Sequence, residues 1–409
     1  MTRRGLKLGA LLAVIGPGLL AGLSDDDPAG ITTYSVLGAG YGYQLLWVLL
    51  LSTIALVMFH ALAARMGVVT GQGLIGLVRQ RYGVRVGGAV LIALVVANIG
   101  TTCAEFAGVA AGFELFGISR LLSVPAAALV VSFLVLRGSF HRIEHLLLLL
   151  STVFLAYVVS GILARPDWGA AFEGLLVPTM PMQTGAIAIV TATVGTTLAP
   201  WGLSFIQSYA VDKKLRTDEL GLERIDVVTG AALTGIIGFF VVEACAATLH
   251  RDGRSITDAA DAATALQPLA GDAAATLFAV GLIGAAVLAA SVLPLSTAYS
   301  VCEYVGVEAA LDDSYRDAKT FYFVFGFVTV LGALIVMIPG APLVTILIAT
   351  QVLNAVLLIP LLFVMIGIGR DADLMGAFAL GRTGTLVHGL TTAVVLACVA
   401  ALAIISLAG

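Results

Sequence analysis

The sequence predicts an all-α polytopic membrane protein built as two repeats of five helices plus an eleventh, with helices one and six discontinuous. Three observations predict it. Apolar residues make up 60% of the chain and charged residues only 11%, where a soluble domain carries roughly 25% charged residues. A chain this poor in charge cannot cover its outside in water, so most of that outside faces lipid. Apolar runs of about 20 residues, the length that crosses the hydrocarbon core, recur along the chain. Two of these runs, at corresponding places in the two halves, are interrupted by an X-Pro-X-Gly tetrapeptide.

The spans fall near 11–37, 43–64, 87–113, 121–137, 143–163, 185–211, 226–249, 273–301, 320–338, 342–368 and 386–408. Connections are short, so residues 1–409 are expected to form one transmembrane domain. Repeat one covers about 11–163, repeat two about 185–368, and 386–408 is the additional helix. Arg3, Arg4 and Lys7 before an apolar run have the look of a signal peptide, but no convincing small-x-small cleavage site precedes Asp25. That run is expected to stay as the first span. With the N-terminus in the cytoplasm, all but Arg120, Arg165, Arg251 and Arg254 of the 21 Lys and Arg residues lie inside. The positive-inside rule therefore predicts a cytoplasmic N-terminus and an extracytoplasmic C-terminus. Short loops and a compact chain fit the plasma (inner) membrane of a prokaryote, and a monomer is expected.

Several function classes are excluded. The net charge is −4 and no basic run is long enough for nucleic acid. Cys103, Cys245, Cys302 and Cys398 are isolated in apolar stretches, without the spacing of a disulfide framework or a zinc site. His141-Arg142-Ile143-Glu144-His145 matches the H-x-x-E-H zinc-protease pattern without an evident third ligand, and reads as an interfacial helix start. An intramembrane metalloprotease would rest on His141, Glu144 and His145; transport surviving a change at Glu144 separates the two classes. Gly71-Gln72-Gly73-Leu74-Ile75-Gly76 matches the dinucleotide fingerprint with no strand before it, and reads as a flexible loop turn. No enzyme is expected.

The two interruptions carry the function. The first is Ser24-Asp25-Asp26-Asp27-Pro28-Ala29-Gly30, the second Thr196-Thr197-Leu198-Ala199-Pro200-Trp201-Gly202. Proline removes a backbone donor and clashes with the preceding turn, and glycine adds freedom. Freed carbonyls at membrane depth are tolerated only where protein or a water-filled cavity receives them. Matched interruptions in two halves point to an inverted-repeat transporter with its site near the midplane. Asp27 is an anionic oxygen ligand there, and carboxylate, carbonyl and water together suit hard divalent cations. Asp25 and Asp26 lie either at the break with Asp27 or nearer one mouth of the pathway; spacing does not separate the three acids, except that Asp27 directly precedes the proline.

At these residues the chain resembles the natural resistance-associated macrophage protein (Nramp) family of divalent-metal transporters, over most of its length. Gly16-Pro17-Gly18 leading to Asp27-Pro28 is similar to the family's first helix, and Tyr43-Gln44-Leu45-Leu46-Trp47 to the start of its second. Ala64-Arg65-Met66-Gly67-Val68-Val69-Thr70-Gly71 resembles the stretch after helix two. Arg142-Ile143-Glu144 resembles the start of helix five, and Thr350-Gln351-Val352-Leu353 helix ten. The resemblance implies a LeuT-type fold, in agreement with the inverted repeat.

The departures are as informative. The family's Asp-Pro-Gly-Asn places Asp27 on the metal-ligand aspartate and Gly30 where an asparagine ligand is expected. Its Met-Pro-His places Ala199 on the methionine ligand and Trp201 on the histidine. Thr196 falls where the family offers a carbonyl, and Gln351 on a helix-ten residue that helps coordinate. The implied metal set is therefore Asp27, Gly30, Thr196, Ala199 and Gln351. The family's proton-path aspartate is Thr102 here, with Glu105 nearby, and a second histidine of helix six is Gln207.

Losing the thioether removes the ligand that favours soft transition metals. Shorter side chains are expected to leave room for water, which suits Mg²⁺ because it dehydrates reluctantly. The expectation is a transporter of Mg²⁺, passing Mn²⁺ as well, that binds a partly hydrated ion and moves it by alternating access without proton coupling. The alternative is a proton-coupled Mn²⁺ or Fe²⁺ symporter with Glu105 or Glu243 carrying protons. A sodium-coupled amino-acid carrier of the same fold is the more distant rival, and Asp27 beside Pro28 argues against it. The ion is cargo, so no resident cofactor is expected. Glu243 is read either as a relay or as a paired buried acid, and His60 as snorkelling or hydrogen-bonded near its helix end. Asp252, Asp258, Asp261 and Asp272 read as a solvated external loop.

Overall fold

The computed structural model describes residues 21–22, 24–136, 155–307 and 318–408. His141, Glu144 and His145, the Gly16-Pro17-Gly18 motif, the Arg142-Ile143-Glu144 motif and the terminal Arg3, Arg4 and Lys7 lie outside them. Helices account for the regular structure, and among the described residues there is no strand.

The first helix comes in two pieces. Residues 21–22 and 24–25 are helical, Asp26 and Asp27 bend, and α1 runs Pro28–Tyr41. Asp27 is the N-cap of α1 and Pro28 its first residue, the position where a missing N–H costs nothing. Next come α2, Leu46–Thr70, and α3, Leu74–Glu114. Gly71 closes α2 in the left-handed region (φ 63°), where a glycine carries no Cβ penalty. Helix α3 is kinked at Gly83, whose φ of 84° separates a short lead-in from the long span.

The first half then continues with α4, Arg120–Leu136, α5, Leu155–Leu163, and α6, Trp168–Leu176. The sixth span is again split, into α7, Thr184–Thr197, and α8, Pro200–Asp212. Beyond it lie α9, Leu220–Cys245, with a π-helical turn at Ala246–His250, and α10, Ala274–Val305. The chain ends in α11, Lys319–Val336, α12, Leu343–Gly369, and α13, Arg382–Ala408. Eight helical segments among the described residues are long and apolar enough to cross a membrane, and the chain is a multi-pass membrane protein. Of these segments the α7–α8 pair is the most enclosed and α13 the least, so the second break lies inside the bundle and α13 on its rim.

Three sequence expectations are corrected. The Ala64–Gly71 stretch does not follow helix two, because α2 runs on to Thr70. Of Gly71–Gly76 only 71–73 is a turn; Leu74 already belongs to α3. Two connections, around 164–184 and 251–273, are not short links but carry helices, α6 and the brief Ala259–Ala263 and Gln267–Ala270.

Small residues let the broken helices be gripped from several sides. A Cβ at Gly108 of α3 would stand 2.3 Å from the Pro28 ring, so α3 packs directly on the first break. Gly22 meets Gly230 of α9 backbone to backbone, and Thr234 Oγ1 donates to the Gly22 carbonyl at 2.6 Å. Where lipid tails remove the hydrophobic drive between helices, such close contacts and interhelical hydrogen bonds hold a bundle together.

Candidate ion site at the paired helix breaks

Asp27 has extended backbone (φ −77°, ψ 170°) and folds its carboxylate back, Oδ1 accepting from Gly30 N at 2.6 Å. The charge thereby sits on the N-terminal end of α1, where unpaired N–H groups and the helix dipole favour an anion. On the second break α7 ends at Thr197, and Leu198 and Ala199 leave helical geometry before Pro200 starts α8. The last carbonyls of α7 are thus left without successors in their own helix, which makes them available as oxygen ligands.

The two breaks meet at Gly30. An ideal Cβ there would stand 2.7 Å from the Asp25 carbonyl oxygen, 3.2 Å from Thr196 Oγ1 and 3.3 Å from Asp27 Oδ1. Three oxygens from both broken helices therefore gather round one point. Thr196 Oγ1 has no hydrogen-bond partner. A second link joins the breaks, with Tyr34 OH and Thr197 Oγ1 2.9 Å apart.

Gln351 packs on the end of α7 from α12. A Cβ on Gly195, the residue before Thr196, would stand 1.9 Å from the Gln351 backbone oxygen, so α12 and the end of α7 are in tight contact. The Gln351 side chain turns Oε1 toward Asn354 Nδ2 (2.8 Å), and its Nε2 is unpartnered. Asn354 is held in turn by Thr101 Oγ1 of α3 at 3.0 Å. Ala199 is the N-cap of α8 and offers only a methyl group, with no side-chain capping bond. Among the described residues no group of three His, Cys, Asp or Glu side chains is placed to hold a metal. An ion here would depend on Asp27 together with carbonyl, hydroxyl and amide oxygens.

Three expectations about the site's surroundings change. Asp25 and Asp26 are each 1% exposed and lie inside the protein, not at a mouth. The place of the missing asparagine is not open space, because the oxygens around Gly30 fill it. His60 does not snorkel: it lies within α2, 1% exposed, and neither ring nitrogen has a partner. Of the other acids, Glu105 on α3 is buried near enough to Asp27 to interact with its charge. Glu243 on α9 is buried beside Gly161 of α5, and neither carboxyl oxygen has a hydrogen-bond partner among the described residues. Asp258 and Asp261 serve as local caps, with Asp258 Oδ1 accepting from Asp261 N at 2.9 Å.

A cavity of about 600 Å³ opens at the end of the bundle that bears Gly71 to Gly73, lined by Ser208, Asp212, Tyr299 and Glu303 among others. Glu303 of α10 accepts from Ser208 Oγ at 2.5 Å and from Ile75 N at 3.2 Å. Next to Ser208, Gln207 donates from Nε2 to the Gln72 carbonyl at 2.9 Å. These bonds tie α8, α10 and the start of α3 together between the cavity and the breaks.

The oxygens of Asp25, Asp27 and Thr196 meet through packing alone, and the sequence pattern held no sign of the Tyr34–Thr197 link or of His60's depth. Comparison with known proteins fits the arrangement. The chain is 28% identical over 406 residues to a divalent metal cation transporter, MntH, of Granulibacter bethesdensis, covering 96% of this chain and 88% of that one. The MntH of Yersinia pestis is likewise 28% identical, over 94% of this chain and 93% of its own. Among solved structures, a manganese transporter of Eremococcus coleocola superposes with a TM-score of 0.77 at 20% identity, over 97% of this chain and 87% of that one. MhsT in complex with L-phenylalanine superposes at 0.64 and 17% identity, over 95% and 98%. The fold is thus the LeuT-type arrangement of five plus five helices with an added eleventh and discontinuous helices one and six. It is shared by carriers named for a metal and for an amino acid, so the side chains at the breaks must decide the cargo. The sequence pattern described as natural resistance-associated macrophage protein-like matches residues 18–405, and the chain belongs to the Nramp family.

Proposed function

We propose that this protein carries divalent metal cations across the plasma membrane by alternating access, with Mg²⁺ as its main cargo and Mn²⁺ as a second. The observation that carries the reading is the gathering of Asp27 Oδ1, Thr196 Oγ1 and the Asp25 carbonyl beside Gly30. Asp27 supplies the single negative charge, and the unwound ends of the first helix and of α7 supply neutral oxygens. Ala199 adds no sulfur, so nothing on that side favours a soft ion over a hard one. Mg²⁺ is held by few carboxylates and keeps several waters. Since the oxygens stand closed around Gly30, a hydrated ion requires the broken ends to part, as alternation between two states would make them do.

Transport without protons is the second part of the proposal. Thr102 and Gln207, both buried, do not titrate near neutral pH. The driving force is then the ion gradient and the membrane potential, about 2.3 kcal/mol per charge per 100 mV and roughly twice that for a divalent ion. The alternative, a proton-coupled Mn²⁺ or Fe²⁺ symporter, is favoured by the closeness of Glu105 to Asp27. The positive-inside rule supports a cytoplasmic N-terminus and an extracytoplasmic C-terminus.

The experiment is uptake into proteoliposomes carrying an internal pH dye, for wild type and Asp27→Ala, with Mg²⁺, Mn²⁺ and Ca²⁺ in turn. Mg²⁺ entry without acidification, lost in the variant, supports the reading. Mn²⁺ entry with acidification and no Mg²⁺ flux replaces it with the symporter.

A further inference from the structure

His60 and Asp25 are both buried without a hydrogen-bond partner among the described residues. His60 projects from α2 and is 1% exposed, with neither Nδ1 nor Nε2 hydrogen-bonded. Asp25 ends the first piece of helix one, is equally buried, and has both carboxyl oxygens unpartnered. They come from different elements and converge on a third, the first turn of α8. A Cβ on Gly202 would stand 3.2 Å from His60 Nε2 and 3.9 Å from Asp25 Oδ1. Both atoms thus face one small space, which exists because residue 202 has no side chain.

Burying a polar group without a partner is costly, and burying a charge more so. Two such groups from separate helices, aimed at one space, require something that satisfies both. They do not satisfy each other, since no hydrogen bond joins them. A hydroxyl or amide partner is not supplied by α8 either, because the nearest residue of its first turn is glycine.

We propose that Asp25 and His60 form a second cation subsite beside the Asp27 site, selective for a divalent transition-metal ion over Mg²⁺. The inference rests on the reading of this chain as a cation carrier, which brings the ion to these helices. The selectivity follows from the donors. An imidazole nitrogen with one carboxylate oxygen suits borderline transition metals, whereas Mg²⁺ takes oxygen and water. No third His, Cys, Asp or Glu side chain joins the pair among the described residues. Carbonyls and water complete the shell, so the subsite is a weak stopping place and not a resident metal centre. Metal–ligand bonds of about 2.0–2.2 Å draw the two side chains inward over the Gly202 space. The subsite gives Mn²⁺ a second foothold that Mg²⁺ lacks.

The test is Mn²⁺ binding to purified full-length protein, counted by electron paramagnetic resonance, with uptake of Mg²⁺ and Mn²⁺ measured in parallel. Wild type is expected to bind Mn²⁺ in two classes, and Asp27→Ala to keep the weaker one. His60→Gln, which keeps a polar side chain of similar reach, is expected to weaken that class about tenfold or more. Its Mg²⁺ uptake is expected to stay within about twofold of wild type, because an oxygen-seeking ion makes little use of the imidazole. Gly202→Ala, which fills the space, is expected to have the same effect as His60→Gln. One class of bound Mn²⁺ in wild type overturns the subsite, as does unchanged Mn²⁺ binding in folded His60→Gln. Full Mg²⁺ uptake by Asp27→Ala would instead overturn the transport site, whatever His60 does.

Discussion

Tyr34 of α1 and Thr197 of α7 stand with their hydroxyls 2.9 Å apart, joining the two broken helices one turn from the ion site. Thr197 also donates to its own helix, to the Thr193 carbonyl at 2.8 Å, so Tyr34 is the donor of the shared bond. Tyr34→Phe removes that bond and leaves Thr197 otherwise satisfied. A net loss of about 1 kcal/mol is expected, which is about fivefold in an equilibrium. We expect the KM for ion uptake to rise by about that factor with the protein still folded. An unchanged KM would show that the bond does not position the site.

Gly30 is where the family's asparagine would be expected, and the structure shows why that change is not simply reversible. A Cβ only 2.7 Å from the Asp25 carbonyl is closer than real Cβ contacts come. Gly30→Asn must therefore displace the backbone of the break, at a cost of about 1–3 kcal/mol for overpacking. We expect lower thermal stability and little Mg²⁺ uptake, not a gain of function. A stable, active Gly30→Asn protein would mean that the breaks part easily.

The outline of this site was legible because prolines and acids inside apolar runs are conspicuous. Pro28 and Pro200 mark the breaks, and Asp27 caps α1 beside the first of them. What was not legible depends on contact between distant residues. Periodicity places His60 on α2 but cannot show that it faces Gly202, 142 positions further on. Likewise Gln351 is found by its motif, but its amide's turn toward Asn354 is a matter of packing. The Trp168–Leu176 helix escapes a search for spans because its 9 residues are too few to cross a membrane.

Ala199 provides the most direct test of ion choice. Its side chain is a methyl group at the N-cap of α8, 3% exposed. Ala199→Met introduces a thioether, which favours softer ions. We expect Mn²⁺ and Cd²⁺ to gain on Mg²⁺ in competition uptake, by about tenfold or more. Equal competition before and after the change would show that position 199 does not face the ion.

Glu303 holds the opposite end of the bundle by accepting from Ser208 Oγ and Ile75 N. Glu303→Ala leaves the Ile75 N–H without its acceptor and loosens α8 from α10. An unsatisfied donor costs about 1–3 kcal/mol, less where the 600 Å³ cavity beside it admits water. We expect a lower melting temperature and faster labelling of the native Cys302, which is buried beside the same cavity. Unchanged labelling would show that this bond does not hold the region closed.

Asp371, in the loop between α12 and α13, gives a pH dependence with a definite sign. Its carboxyl is held below the usual carboxylate range, first by the Asp373 N–H, which donates to Oδ1 at 2.9 Å, and then by Arg81. A carboxyl depressed in the folded state binds its proton less readily there than in the unfolded chain. Its stabilisation is therefore complete above the unfolded value, about 3.9, and is lost as pH falls through the lower folded value. Because Arg81 is half exposed, the effect is local and modest. Amide hydrogen exchange at Asp373, corrected for the intrinsic pH effect, should show protection at neutral pH that fades below about pH 4. Asp371→Asn should flatten that profile; a profile that fades equally in both proteins would assign the change to another group.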